Sequence, residues 1–131
     1  MTKILIVDDE ERLLTLYSSV LTKAGFEVFT ARDARKALEL AVSAQPRLIL
    51  LDVMMPAMDG GDAFANLAGN ASTREIPVIF LTSLVKEDEV DAGQGKIGGR
   101  EYISKSTPMP KFVNTVKAAL ARPPREAHLP A

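Results

Sequence analysis

An α/β fold built on a doubly wound parallel sheet is the architecture this sequence predicts, and two observations predict it. Four short apolar runs and a fifth, more polar strand candidate alternate with stretches of helical spacing, and glycine or proline separates most of them. Such alternation means parallel strands covered by helices on both faces and joined by right-handed crossovers. Ligands in these sheets bind beyond the carboxyl ends of the strands, where the strand order reverses.

The first run, Ile4-Leu5-Ile6-Val7, is continuous, as a strand covered on both faces should be. Leu13, Leu16, Tyr17, Val20, Leu21 and Ala24 then recur at three- and four-residue intervals, and Gly25 is a stop signal. Phe26-Glu27-Val28-Phe29 alternates and reads as an edge strand. Asp33 can cap a second helix with Ala34, Ala37, Leu38 and Ala41 on one face, ended by Pro46. Leu48-Ile49-Leu50-Leu51 is a second buried strand. Ala63, Phe64, Leu67 and Ala68 form a short third helical stripe, stopped by Gly69 and Asn70. Val78-Ile79-Phe80-Leu81 is the fourth strand. Residues 84–91 could be helical, but Gly93, Gly95, Gly98 and Gly99 follow closely, and each interior glycine costs a helix about 1 kcal/mol. A short fourth helix is expected. Glu101-Tyr102-Ile103-Ser104 is polar enough for the other sheet edge. Met109, Phe112, Val113, Val116 and Leu120 make the last helix, with Thr107 and two prolines at its start. Residues 1–121 thus read as one domain, and 122–131, with Pro123, Pro124 and Pro130, as a disordered proline-rich tail.

Composition narrows the chemistry. There is no cysteine, which excludes disulfides and zinc–thiolate sites, and the one histidine, His128, lies in the tail. A net charge of -1 provides no field for nucleic acid or an anionic membrane. The first apolar run is too short for a signal peptide or a membrane span. A cytoplasmic domain is expected, with carboxylates, hydroxyls, lysines and backbone as its reactive groups.

Those groups gather at the strand ends. Strand one runs into Asp8-Asp9-Glu10-Glu11, strand three into Asp52, strand four into Thr82-Ser83, and strand five into Lys105. An acidic cluster before a helix also favours the positive end of the helix dipole. Thr82 or Lys105 alone reads as a local hydrogen bond or a surface charge. Their joint placement decides otherwise. Close carboxylates repel by several kcal/mol (order of magnitude) at intermediate dielectric, and Mg²⁺, a hard cation that takes oxygen ligands, relieves that repulsion.

The stretches Ile6-Val7-Asp8-Asp9-Glu10, Leu51-Asp52-Val53-Met54-Met55-Pro56-Ala57-Met58-Asp59-Gly60, Phe80-Leu81-Thr82-Ser83 and Tyr102-Ile103-Ser104-Lys105 together resemble the receiver domain of two-component response regulators. The resemblance spans about residues 3–121. It implies a flavodoxin-like (βα)5 fold with strand order 2-1-3-4-5. It further implies that Asp52 accepts a phosphoryl group from a histidine kinase or a histidine phosphotransfer protein. Asp9 would ligate Mg²⁺ directly and Asp8 through water. Asp52 and the backbone carbonyl of Met54 would complete the metal set, while Thr82 and Lys105 would hold phosphoryl oxygens. Thr82 and Tyr102 would form the switch. The face of the fourth helix, fifth strand and fifth helix would then bind a downstream protein or a second copy in a phosphorylation-dependent dimer, the alternative being a monomer. Such a protein is a signalling switch, not an enzyme with an external substrate, and it contacts neither nucleic acid nor membrane. A receiver fills nearly all of the chain, so an output partner is expected in another protein unless this chain is part of a longer one.

Three departures stand out. Ser106 follows Lys105 where the family has a proline joined by a cis bond. A cis bond before serine costs about 2.5–4 kcal/mol, so a trans bond and a different reach for Lys105 are expected. Ser83 stands where alanine is common. Met54 and Leu84 are apolar where hydrolysis-assisting groups can occur, so self-dephosphorylation should be slow.

Competing readings fail on particular residues. Gly93-Gln94-Gly95-Lys96-Ile97-Gly98 matches G-x-G-x-x-G but does not follow a buried first strand, as a dinucleotide loop must. A dehalogenase-like phosphatase needs a second acid where Met54 stands. A flavin module needs a phosphate loop where Asp8 to Glu11 would repel phosphate. A receiver-like adaptor that is never phosphorylated remains the alternative.

Overall fold

The structure, a computed structural model, describes residues 1–52, 60–83, 96–97 and 100–121. The expected fourth helix at 84–91, Met54, Leu84 and the tail at 122–131 lie outside the described residues. The elements are β1 (Lys3–Val7), α1 (Glu11–Lys23), β2 (Glu27–Ala31), α2 (Ala34–Ala44), β3 (Leu48–Asp52), α3 (Gly60–Ala68), β4 (Val78–Thr82), β5 (Lys96–Ile97), β6 (Arg100–Ser104) and α4 (Met109–Ala121).

The sheet order is β2-β1-β3-β4-β6-β5. The five long strands are parallel and in the expected 2-1-3-4-5 order, with β6 as the fifth. The flavodoxin-like doubly wound class is therefore the observed one. One addition was not foreseen. Lys96–Ile97 pairs antiparallel with Arg100–Glu101 and puts a two-residue strand outside β6. In sequence, Gly93 and Gly95 precede this short strand and Gly98 and Gly99 fall between it and β6. β2 also runs two residues further than its alternation indicated, because Ala31 pairs with Val7 at the end of β1.

Strand alternation divides the apolar residues into two layers. Ile4, Ile6, Leu48, Leu50, Ile79, Leu81 and Ile103 pack under α1 and α4 against Leu14, Tyr17, Leu21, Phe112 and Val116. Leu5, Val7, Ile49, Leu51 and Phe80 pack under α2 and α3, where Ala34, Ala37 and Ala41 let the α2 backbone come close. All of β3 is buried, which explains its unbroken apolar sequence. The stripe of α1 lies a little to one side of the expected one. Leu14, Tyr17 and Leu21 face the core, and Leu16 is 44% exposed.

The helix ends follow local chemistry. Asp33 caps α2 by accepting from the Lys36 N–H at 2.8 Å. At the end of α1, Gly25 has φ +100° and its N–H donates to the Thr22 carbonyl, while the Phe26 N–H donates to the Leu21 carbonyl. That is a Schellman ending, and it turns the chain straight into β2. Gln45, a non-glycine residue at φ 52°, ends α2. Its side-chain amide donates to the carbonyls of Ala41, Val42 and Ser72, which anchors the left-handed turn to the segment after α3. No helix among the described residues is long and apolar enough to cross a membrane.

A Cβ placed on Gly25 would meet nothing within 4 Å, so Gly25→Ala tests backbone conformation without a clash. The expected cost is about 1 kcal/mol, the usual penalty for a left-handed non-glycine residue, read as a lower urea midpoint at unchanged m-value. An unchanged midpoint would mean the turn relaxes without cost.

Candidate functional site

The register of the parallel strands sets the site. Val7 pairs with Leu51, Asp52 with Leu81 and Thr82 with Ser104, so the residues ending β1, β3, β4 and β6 meet along one edge of the sheet. The Asp8 N–H donates to the Ala31 carbonyl at 3.1 Å, which carries the β1–β2 pairing one residue beyond the strand. Asp8 is fully buried, Asp52 and Thr82 are each 2% exposed, and Asp9 is half-buried.

Lys105 links these strands. Its Nζ lies 2.9 Å from Asp8 Oδ2 and 3.3 Å from Asp52 Oδ2. Its backbone N–H donates to the Thr82 carbonyl at 2.8 Å. By alternation Asp8, Asp52 and Lys105 belong to the face of α1 and α4, whereas Thr82 belongs to the face of Phe80 and Tyr102. The trans bond is found as expected, but the reach of Lys105 to the acids is kept. No peptide bond among the described residues is cis, Lys105–Ser106 included, and Lys105 still reaches both acids. The turn that carries Lys105 provides that reach without the family's proline.

Asp8, Asp9 and Asp52 bring carboxylate oxygens within 4.8 Å of one another. Asp8 Oδ1 accepts from the Glu10 N–H at 2.9 Å. Asp8 Oδ2 has the ionic contact with Lys105 but no aligned hydrogen bond, although it is buried. A buried carboxylate oxygen lacking a hydrogen bond, beside two further carboxylates, is a donor set suited to a hard divalent cation. These three acids could hold one. Glu10 and Glu11, exposed on the outer side, are not part of this group.

Tyr102 is half-buried, its ring 5.3 Å from that of Phe80, which in turn lies 5.3 Å from Phe64. Two participants were not anticipated. Arg32, after β2, donates to the Asp9 carbonyl at 3.1 Å and ties the acidic loop to the neighbouring strand end. Tyr17 had read as a core residue of α1. It does pack on Phe112, with ring centroids 4.8 Å apart, but it also lies within the electric field of the site. Periodicity reports the ring and says nothing of the phenol oxygen.

Burial alone would lower the affinity of Lys105 for its proton. The close ionic contacts and charges of Asp8 and Asp52 together outweigh it and hold the ammonium above its ordinary value near 10.5. Burial raises the Tyr17 phenol above 10.0; Lys105 opposes that shift, and Asp8, Asp52 and Glu10 add to it. Both groups hold their protons more tightly folded than unfolded. Stability from them is therefore complete below their unfolded values and is lost as pH climbs through the raised folded ones. Unfolding free energy should fall as pH rises above about 10, where both groups begin to titrate in the unfolded chain, and less steeply in Tyr17→Phe and in Lys105→Met. Equal slopes in all three proteins would remove these groups as the cause. At neutral pH in chelator, Lys105→Met should cost about 3 kcal/mol by leaving buried carboxylates unpaired, and added Mg²⁺ should restore part of it. Denaturant melts with and without the cation measure both effects.

Comparison with known proteins agrees with this geometry. The family model for the response regulator receiver domain matches residues 4–117. PhoP, the alkaline phosphatase synthesis transcriptional regulatory protein of Bacillus subtilis, is 39% identical over 122 residues, which make up 92% of this chain and 49% of PhoP. This chain thus spans about half the length of that relative. The polar-differentiation response regulator DivK of Brucella ovis is 36% identical over 122 residues, covering 92% of this chain and 98% of DivK. Among solved structures, the chemotaxis protein CheY4 of Vibrio cholerae matches with a TM-score of 0.75 and 29% identity, over 90% of this chain and 98% of that one. With its strand order, its edge of buried acids and lysine, and a family match over most of its length, the chain belongs to the response regulator receiver domains of two-component systems.

Proposed function

We propose that this receiver is a phospho-acceptor switch in which Asp52 takes a phosphoryl group from a phosphohistidine of a partner kinase or phosphotransfer protein. The observation that carries this reading is the Lys105 ammonium 3.3 Å from Asp52 Oδ2, with Asp8 and Asp9 grouped beside it. Asp52 is the nucleophile. One of its oxygens forms the new P–O bond while the P–N bond to the partner's histidine breaks and the electron pair leaves with the imidazole. Asp8, Asp9, Asp52 and the Met54 carbonyl would hold Mg²⁺, which supplies charge neutralisation at the phosphoryl oxygens.

Lys105 already sits beside the acceptor carboxylate and needs only a short movement to pair with a phosphoryl oxygen. Thr82, buried at the next strand end, would donate its hydroxyl proton to another. Phosphorylation replaces one negative charge with about two and adds acceptor oxygens. Movement of Thr82 would open space beside Phe80 for the Tyr102 ring and reshape the face that includes β6 and α4. That face is where a downstream protein or a second copy would dock. The protein would act in the cytoplasm, and its catalysis would be limited to its own phosphorylation and slow dephosphorylation.

Incubation with Mg²⁺ and a small phosphodonor should add the mass of one phosphoryl group to the native protein and none to Asp52→Ala. Chelator should abolish the adduct. An unmodified native protein would leave the receiver-like adaptor as the function, and an adduct that survives Asp52→Ala would place the acceptor elsewhere. Once formed, the adduct should decay slowly, because Met54 and Leu84 give an attacking water no polar side chain. Rapid loss after removal of the donor, followed by intact mass, would refute that.

A further inference from the structure

Lys105 is borne by a turn of unusual construction. The Thr107 N–H donates to the Ser104 carbonyl at 3.0 Å and closes a four-residue turn with Lys105 and Ser106 at its centre. Ser104 Oγ accepts the Ser106 N–H at 3.2 Å and shares a 2.8 Å hydrogen bond with Ser106 Oγ. Ser104 is 2% exposed and Ser106 lies at the surface. The residues on either side of Lys105 are thus joined both through backbone and through side chains. We propose that the Ser104–Ser106 hydroxyl pair is a positioning device that aims the Lys105 side chain at Asp8 and Asp52.

The need for such a device follows from lysine itself. Its stem has four rotatable bonds and a single point charge at the end, so it keeps a fixed target only if its backbone origin is fixed. Lys105 Nζ serves two carboxylates at once, at 2.9 and 3.3 Å. A small shift of the turn would favour one at the expense of the other. The Lys105 N–H bond to the Thr82 carbonyl fixes the N-terminal side of the residue. The serine pair fixes the C-terminal side, where proline is the family's usual residue. A buried Ser104 hydroxyl that only satisfied itself could do so with one partner. Here Ser104 Oγ makes two bonds, both to Ser106.

The effect on phosphoryl transfer rests on the phospho-acceptor reading, but the aim of Lys105 does not, so two measurements separate them. The first is the rate at which an amine-acylating reagent modifies Lys105 in metal-free protein, read by peptide mass. The second is the rate of phosphorylation by a small phosphodonor with Mg²⁺. Ser106→Ala should speed acylation of Lys105 and slow phosphorylation, each by roughly five- to tenfold, as loss of one hydrogen bond implies. Ser106→Thr keeps the hydroxyl and should restore both rates. Ser104→Ala with Ser106→Ala should match or exceed the single change. The exposed Ser106→Ala carries the test by itself if the double variant does not fold. Native rates in Ser106→Ala, or equal losses in Ser106→Thr and Ser106→Ala, would overturn the proposal. If the native protein takes up no phosphoryl group, the acylation rates still decide the role of the serines, and only the phospho-acceptor reading falls.

Discussion

One ammonium between two buried carboxylates governs this molecule. Asp8 and Asp52 sit in the driest part of the sheet edge, where an unpaired charge costs several kcal/mol, and Lys105 is the cation in contact with both. Three acids gather around one base, so the site keeps a negative excess. That imbalance is what a divalent cation and then a phosphoryl group can exploit. A hydrophobic replacement for the cluster would give a more stable fold and a chemically inert one.

The surrounding structure serves to hold that cluster. Parallel pairing with no register slip brings four distant strand ends together. The fully buried β3 places Asp52 at the end of a rod packed on both faces, which gives its carboxylate little room to move. Arg32 steadies the loop after β1 through the Asp9 carbonyl. The turn after β6 is joined to β4 through Lys105 N–H and the Thr82 carbonyl, so the lysine and the threonine share one backbone connection. Displacement of either is felt by the other.

Much of this was readable in the sequence, and the reasons differ from residue to residue. β1, β3 and β4 declared themselves because continuous branched runs have few other uses, β2 by its alternation and β6 by its place after them, and Gly25 and Asp33 marked helix ends because only certain residues suit those backbone angles and caps. Asp8, Asp9, Asp52, Thr82 and Lys105 were visible because strand ends in such a sheet have a known destination. The two-residue β5 was not visible: it is too short to show periodicity, and its glycines read equally as breakers. Leu16 was assigned to the core because spacing alone cannot fix the rotation of a helix to better than a residue. The reach of Lys105 across a trans bond was not legible for a further reason. Ser106 was read for the proline it lacks, while its hydrogen-bonding capacity, which depends on Ser104 folding back beside it, has no signature in linear spacing.

The division of the core into two apolar layers has a consequence of its own. The sheet between them is a partition: the buried apolar residues described fall into two separate clusters, one on each side, and the strand ends are where groups from both sides come near one another. Substitutions in separate layers should behave as independent variables, as distant sites generally do. A lineage could therefore rebuild the helices on one side to suit a new correspondent without renegotiating the other. The shared margin of acids, hydroxyl and lysine would stay as common grammar while the two surfaces acquire separate vocabularies.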